Sequence, residues 1–290
     1  MRDTVPHLPA HGRAMTRAAL SLGLLAALAA CSQKPQVLVP APAGNWISLF
    51  NGKNLDGWTA KIAGQELNDN YRDTFRVEDG LLKVSYRQYD KFGDRFGSLF
   101  YQKRFSRYWI RAEYRFVGSL APGAPRWAFK NSGLQLHSQA PETMRKEQQW
   151  PVSVEFDIVG GRMIGSRPTG DVCRNGTNVL VNGVPLAEQC SKVGDLTIRD
   201  DAWTTALAEV DGGKRVRQIV NGALVVEYTD LKLDETNADA RRLESLGAGK
   251  ALTSGYISLQ SNGHPIEFRR IEVLPLDDAA SGVPGEVAGH

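Results

Sequence analysis

Short runs in which apolar and polar residues alternate recur along this chain, and they constrain its fold more than any other feature. Ile110, Ala112, Tyr114 and Phe116 alternate with Trp109, Arg111, Glu113 and Arg115. Leu134 and Leu136 alternate with Gln135 and His137. Val152, Val154, Phe156 and Ile158 alternate with Ser153, Glu155 and Asp157, and Ile257 and Leu259 with Tyr256, Ser258 and Gln260. A period of two belongs to strands with one buried face. Asn221-Gly222 sits between two such runs, the dipeptide preferred where a two-residue hairpin needs positive φ at both central positions. One helical candidate, Glu235 to Leu246, is short and reads as a surface helix or an irregular loop. Many strands and almost no helix predict an all-β fold, a sandwich of two antiparallel sheets.

The same alternation sorts the side chains. Apolar residues pack between the sheets, so the opposite face carries Gln135, His137, Glu155, Asp157, Tyr256 and Gln260. That mixture suits a binding face, and an ordinary solvated face of amphipathic strands is the competing reading.

Outside the strand region the two ends have their own character. Arg13 and Arg17 precede an apolar run from Ala18 to Ala30 that ends Leu28-Ala29-Ala30-Cys31. About a dozen apolar residues fall short of the roughly 20 a membrane-spanning helix needs, but they suit the core of a secretory signal. The small-small-Cys ending is similar to the lipobox of bacterial lipoproteins. It predicts a signal peptide over 1–30, acylation of Cys31 and a Pro/Ala tether over 31–44, with Met15 as an alternative start. Ser32, not Asp, follows the cysteine, which by resemblance to enterobacterial lipoprotein sorting favours the outer membrane, so the expected location is the periplasm or cell surface. One domain is expected over 45–276, followed by a loose tail over 277–290.

Cysteine usage agrees with an oxidising compartment. With Cys31 set aside, Cys173 and Cys190 remain, an even pair flanking a Gly/Asn-rich segment. They read as a disulfide contributing on the order of 3 kcal/mol by loop closure. A metal site is the rival, although no nearby His or further Cys completes a ligand set. The net charge of +3 falls to +1 once Arg2, Arg13, Arg17 and Asp3 are set aside with the first thirty residues. No nucleic-acid partner is indicated by so even a balance.

Several motifs together resemble one known family. Leu49-Phe50-Asn51-Gly52-Lys53-Asn54-Leu55-Asp56-Gly57-Trp58 is similar to the opening motif of 3-keto-disaccharide hydrolase-like domains. Val77-Glu78-Asp79-Gly80-Leu81-Leu82, Asn131-Ser132-Gly133-Leu134, Val154-Glu155-Phe156-Asp157 and Val220-Asn221-Gly222 follow in the family's order. Gly255-Tyr256-Ile257-Ser258-Leu259-Gln260 and the closing run Ile266 to Leu276 complete it. One departure stands out: many members carry His where this chain has Asn262, and His264 follows Gly263 instead.

The resemblance implies a concanavalin A-like jelly roll holding saccharide on a concave sheet. It also implies cleavage of glycosides that a partner sugar 3-dehydrogenase has oxidised at C3. A C3 ketone acidifies the proton on C2, so one base can remove it, the oxygen on C1 leaves, and water adds back. On that reading Glu155 or His137 is the catalytic base. Gln135, Gln260 or Arg174 steadies the enolate, and His264 is an acid or substrate donor. Asn131 shapes a ligand-approaching turn, and Trp127, Tyr71 and Phe92 are sugar-stacking aromatics in loops. A divalent ion on the enolate oxygen is compatible with the chemistry, though no ligand spacing demands one. The loop Gly118 to Pro125 and the cysteine loop are expected to rim the site.

Each residue also has a plainer role open to it. His137 could cap a strand end, Glu155 could pair with Arg111 or Arg115, and Asp157 reads as structural. His264-Pro265 could set the entry to the last strand, and the loop aromatics could cover a core edge. Laminarinase-type glucanases share the sandwich and the first half of their Glu-x-Asp motif with Glu155-Phe156-Asp157. Gly160-Gly161 stands where their second glutamate belongs, which disfavours retaining hydrolysis of an unmodified glycoside. A non-catalytic, lectin-like surface lipoprotein is the alternative function.

Overall fold

The strands number sixteen among the residues described, 36–276 of a computed structural model. The expected signal peptide, Cys31 and the tail lie outside the described residues. In chain order come β1 (Ile47–Ser48), β2 (Trp58–Ile62), β3 (Phe75–Glu78) and β4 (Leu81–Val84). Next are β5 (Gly97–Phe105), β6 (Arg107–Phe116), β7 (Asn131–Ser138) and β8 (Ser153–Val159). Then follow β9 (Val172–Asn175), β10 (Thr177–Val181), β11 (Val184–Pro185) and β12 (Thr204–Asp211). The chain finishes with β13 (Arg215–Val220), β14 (Ala223–Leu233), helix α1 (Ala238–Ser245), β15 (Gly255–Ser261) and β16 (Ile266–Pro275).

These strands form the expected antiparallel sandwich. Six strands pair in the order β2-β5-β15-β7-β8-β9, and ten make the other sheet along β11-β10-β14-β13-β12-β6-β16-β4-β3, with β1 on β16. Leu134, Leu136, Val154, Phe156, Ile158 and Leu259 of the smaller sheet are buried in one core with Ile110, Ala112, Tyr114, Ile271 and Val273 of the larger. Each such side chain gains roughly 1.5–3 kcal/mol on burial, which fixes which way every strand faces. The hairpin forms where the sequence places it: Asn221 and Gly222 take φ of 48° and 86° between β13 and β14. Helix α1 starts at Asn237, whose side chain accepts from the Asp239 and Ala240 amides.

The outer face of the ten-stranded sheet is a lattice of ion pairs. Arg111 pairs with Glu272 and Arg115 with Glu267, while their guanidinium groups cover Trp46 and Trp203. Neither arginine is thus a partner for Glu155, which lies on the other sheet. The described part of the expected tether is docked on an edge: Val39 N donates to Gly222 O, Leu224 N donates to Val37 O, and Val39 is buried beside Trp109, Leu207 and Ile219.

Candidate functional site

The outer face of the six-stranded sheet carries a cleft of about 700 Å³. Its floor comes from the polar alternates of β7, β8, β9 and β15, and its walls from Trp127, Trp150, the segment 145–150 and the cysteine loop. The segment is tied down at several points. Arg145 Nε donates to Asp239 Oδ1 at 2.7 Å, and Gln148 Nε2 donates to Gln139 Oε1 at 2.9 Å.

Glu155 sits at the centre, 5% exposed. Asn175 Nδ2 donates to its Oε2 at 2.6 Å and Gln260 Nε2 to the same oxygen at 2.9 Å, leaving Oε1 without a donor among the described residues. Gln260 reaches it across the whole of β7, because β15 and β8 are two strand spacings apart, about 9–10 Å. The row is open at Gly133, which has no side chain to block it. Burial pushes the Glu155 carboxyl up to about 7, against the pull of those two amides. Asp157 on the same face accepts from Asn131 Nδ2 at 3.4 Å. Its carboxyl is raised well above the ordinary range by burial and by Glu155, with Arg167 opposing. Two such neighbouring carboxylates titrate as a coupled pair.

This floor offers a metal ion an incomplete ligand set. Among the described residues, Glu155, Asp157 and Cys173 form the one group of His, Cys, Asp or Glu ligand atoms within 4.8 Å of one another. Cys173 is bonded to Cys190, as the cysteine count predicted, so its sulfur is no thiolate. One oxygen of each carboxylate already meets amide hydrogens, Glu155 Oε2 from Asn175 and Gln260 and Asp157 Oδ1 from Asn131.

Of the residues singled out in the sequence, Glu155, Gln260, Asn131, Trp127 and Arg174 line the cleft together. Trp127 is 48% exposed and stacks on Phe96, with Trp150 beside it at 6.3 Å between centroids. Arg174 is committed to the cysteine loop through the carbonyls of Ala187 and Glu188 and to Asn178 Oδ1, which leaves it structural. Gln135 is on the same face, opposite Glu155, but fully buried, its Oε1 accepting from Ser98 and Ser258.

His137 is a correction: it is fully buried and does not line this cleft. Strand β7 carries an extra residue there, since Ser258 pairs with Gln135 while Tyr256 pairs with Ser138. That bulge, with φ of 51° at His137, reverses the alternation by one position. The ring packs edge-on against Tyr108, its Nε2–H donates to Gly212 O, and burial pushes its pKa down to about 4. Gly255 permits the crossing, because a Cβ there would lie 2.4 Å from the His137 carbonyl carbon.

His264 also lies elsewhere, 1% exposed between the Phe116 and Phe129 rings, with burial again lowering its pKa to about 4. Tyr71 and Phe92 belong to an aromatic cluster with Tyr86 and Tyr89 against the core. The cysteine loop rims the cleft as expected, whereas Gly118 to Pro125 does not.

Three contributors escaped the sequence reading. Trp150 and Asn175 carry no motif signal. Asn262 is visible only as the departure at the family's His position, and its Oδ1 accepts from Trp150 Nε1 at 3.1 Å.

Among solved structures, the chain is similar to a glycosyl hydrolase-like protein of Parabacteroides distasonis ATCC 8503, with a TM-score of 0.49 and 18% identity over 80% of this chain and 95% of that one. A Bacillus subtilis protein of unknown function with a galectin-like fold gives 0.48 and 12%, over 82% and 97%. A Bacillus licheniformis beta-glucanase gives 0.43 and 13%, over 80% and 99%. No curated protein matches the sequence. The 3-keto-alpha-glucoside-1,2-lyase-like domain model matches residues 45–274, and the chain belongs to that carbohydrate-active, glycosidase-like family.

Proposed function

We propose that this protein cleaves 3-keto-glycosides by elimination across C1 and C2, followed by hydration. The observation that carries the reading is Glu155: a buried carboxyl on the cleft floor, poised near neutral pH, with one oxygen free of donors among the described residues. A base in that state matches a proton made acidic by the adjacent ketone. Glu155 takes the proton from C2, and the electron pair forms the C1–C2 double bond as the C1–O bond breaks. The departing oxygen takes a proton from Asp157, whose carboxyl is pushed up by burial and by Glu155. Water then adds across the double bond: its hydroxyl goes to C1, Asp157 takes the proton that water loses, and Glu155 returns its proton to C2. Trp127 and Trp150 offer the aromatic faces against which a sugar ring stacks.

On this reading a sugar 3-dehydrogenase supplies the substrate, and acylated Cys31 holds the domain at the outer membrane, facing the periplasm or the cell surface. Replacing Cys31 by Ser would move the protein from the membrane fraction to the soluble one.

The test of the chemistry is NMR of the mature protein with a 3-keto-glucoside and its unoxidised parent, wild type beside Glu155→Gln. Cleavage of the keto compound alone is expected, with C2 deuterium exchange and turnover falling at least about 100-fold in the variant. Saturable binding without exchange or cleavage would instead identify a lectin-like surface module.

A further inference from the structure

The side-chain amides around the two carboxylates have a direction, and an indole sets it. An indole N–H donates and never accepts, whereas a carboxamide can turn either end to a neighbour. Trp150 Nε1 lies 3.1 Å from Asn262 Oδ1, so the Asn262 oxygen must face the indole. Its Nδ2 then faces Asn131 Oδ1 and Gln260 Oε1 and donates to both. With their oxygens engaged, those two amides have only N–H groups left for the carboxylates. Gln260 Nε2 donates to Glu155 Oε2, and Asn131 Nδ2 donates to Asp157 Oδ1. Turning any one of the three amides over sets oxygen against oxygen, or N–H against N–H. Asn262 and Gln260 are each 2% exposed, so bulk water is not at hand to repair a mismatch.

We propose that Trp150 is a positioning residue whose indole N–H orients the Asn262, Gln260 and Asn131 amides, so that their donors face Glu155 and Asp157. A sugar-stacking tryptophan would need only its ring; this one also needs its nitrogen. Its effect on turnover rests on the proposed function, but the orientation does not. The charged groups facing the pair are few. Arg167 and Asp171 face Asp157, whereas β7, β9 and β15 present amides, a glycine and the disulfide to Glu155.

The experiment is a ¹³C side-chain carboxyl titration of Glu155, with the signal assigned through Glu155→Gln. It compares wild type with Trp150→Phe, which keeps a ring and deletes the donor. Freed amides no longer hold their N–H groups on the carboxylates, and the Glu155 titration should move up by roughly one pH unit. The acid limb of kcat for a 3-keto-glucoside should move with it, while KM changes less than about threefold, because the stacking face remains.

Phe96→Leu is the packing control, since it disturbs the ring lying 4.7 Å from Trp150 without touching the N–H. It should leave the titration in place. Should Trp150→Phe not fold, Asn262→Leu removes the relay with the indole intact and should give the same upward shift. An unshifted Glu155 in the folded relay variant, or an equal shift in Phe96→Leu, would overturn the proposal. A shift as expected in a protein that turns over no 3-keto-glycoside would sink the proposed activity and leave the positioning role standing.

Discussion

Gly133 is the floor against which Glu155 lies: a Cβ on Gly133 would sit 2.6 Å from Glu155 Oε1 and 2.8 Å from both its Cδ and Cγ. The carboxylate cannot simply swing aside, because Asn175 and Gln260 hold it and it is buried. Gly133→Ala should therefore break those hydrogen bonds and destabilise the fold by about 1–3 kcal/mol, as overpacking does. Turnover of a 3-keto-glucoside should fall at least about 100-fold in the folded variant. Steady-state kinetics beside thermal denaturation check this. Full activity in the alanine variant would mean that the Glu155 position does not matter.

Stability should report the raised Glu155 pKa directly. The carboxyl titrates near 7 in the folded chain against 4.5 for an ordinary glutamate. Between those values the native state holds more protons than the unfolded state, so this group's contribution makes stability fall as pH rises from about 4.5 to about 7, then level off. Glu155→Gln removes the charge that burial penalises. It should stabilise at pH 8 by an amount on the order of 3 kcal/mol at most, and much less at pH 4. Denaturant titrations at the two pH values decide it, and an equal change at both would dissociate Glu155 from the effect.

His264 works the other way. Among the described residues both ring nitrogens are buried without a hydrogen-bond partner, between two phenylalanines, and burial depresses the pKa to about 4. A depressed histidine costs stability as pH drops from about 6.5 towards 4, because the unfolded chain takes the proton first. His264→Phe should raise stability by about 1–2 kcal/mol at neutral pH and by more at pH 5, with turnover retained. Loss of turnover with an intact fold would return His264 to the catalytic set.

The Cys173–Cys190 bridge spans a sequence separation of 17. Beside it, Arg174 N donates to Gln189 O, and Asn175 holds Glu155. Replacing both cysteines by Ser should cost about 3 kcal/mol by the loop-closure argument. It should also loosen Asn175 and lower turnover more than binding. A melting curve with and without reductant, paired with kcat and KM, separates the two effects. A variant with unchanged melting and kcat would show the bridge to be incidental.

The sequence by itself determined the sandwich, because a period-two pattern long enough to bury one face leaves each strand a single choice of side. It determined the Asn221-Gly222 hairpin through local dihedral demand, and parity in the cysteine count favoured the Cys173–Cys190 disulfide over a metal site, which the structure bears out. It also put Glu155, Asp157 and Gln260 on one face, since they sit on unbroken stretches of alternation. What it could not supply was the neighbour across the sheet. His137 follows the alternating pattern as faithfully as Gln135 does, yet one extra residue in β7, set by pairing with β15, turns it inward. Tyr71, Phe92 and His264 sit in loops or at strand entries, where the direction of a ring depends on what packs over it, not on period. Trp150, Asn175 and Asn262 reached the site for the same reason. Their side chains are polar or aromatic without pattern, and only the tertiary structure decides that one indole nitrogen, three strands and a loop meet around the same carboxylates.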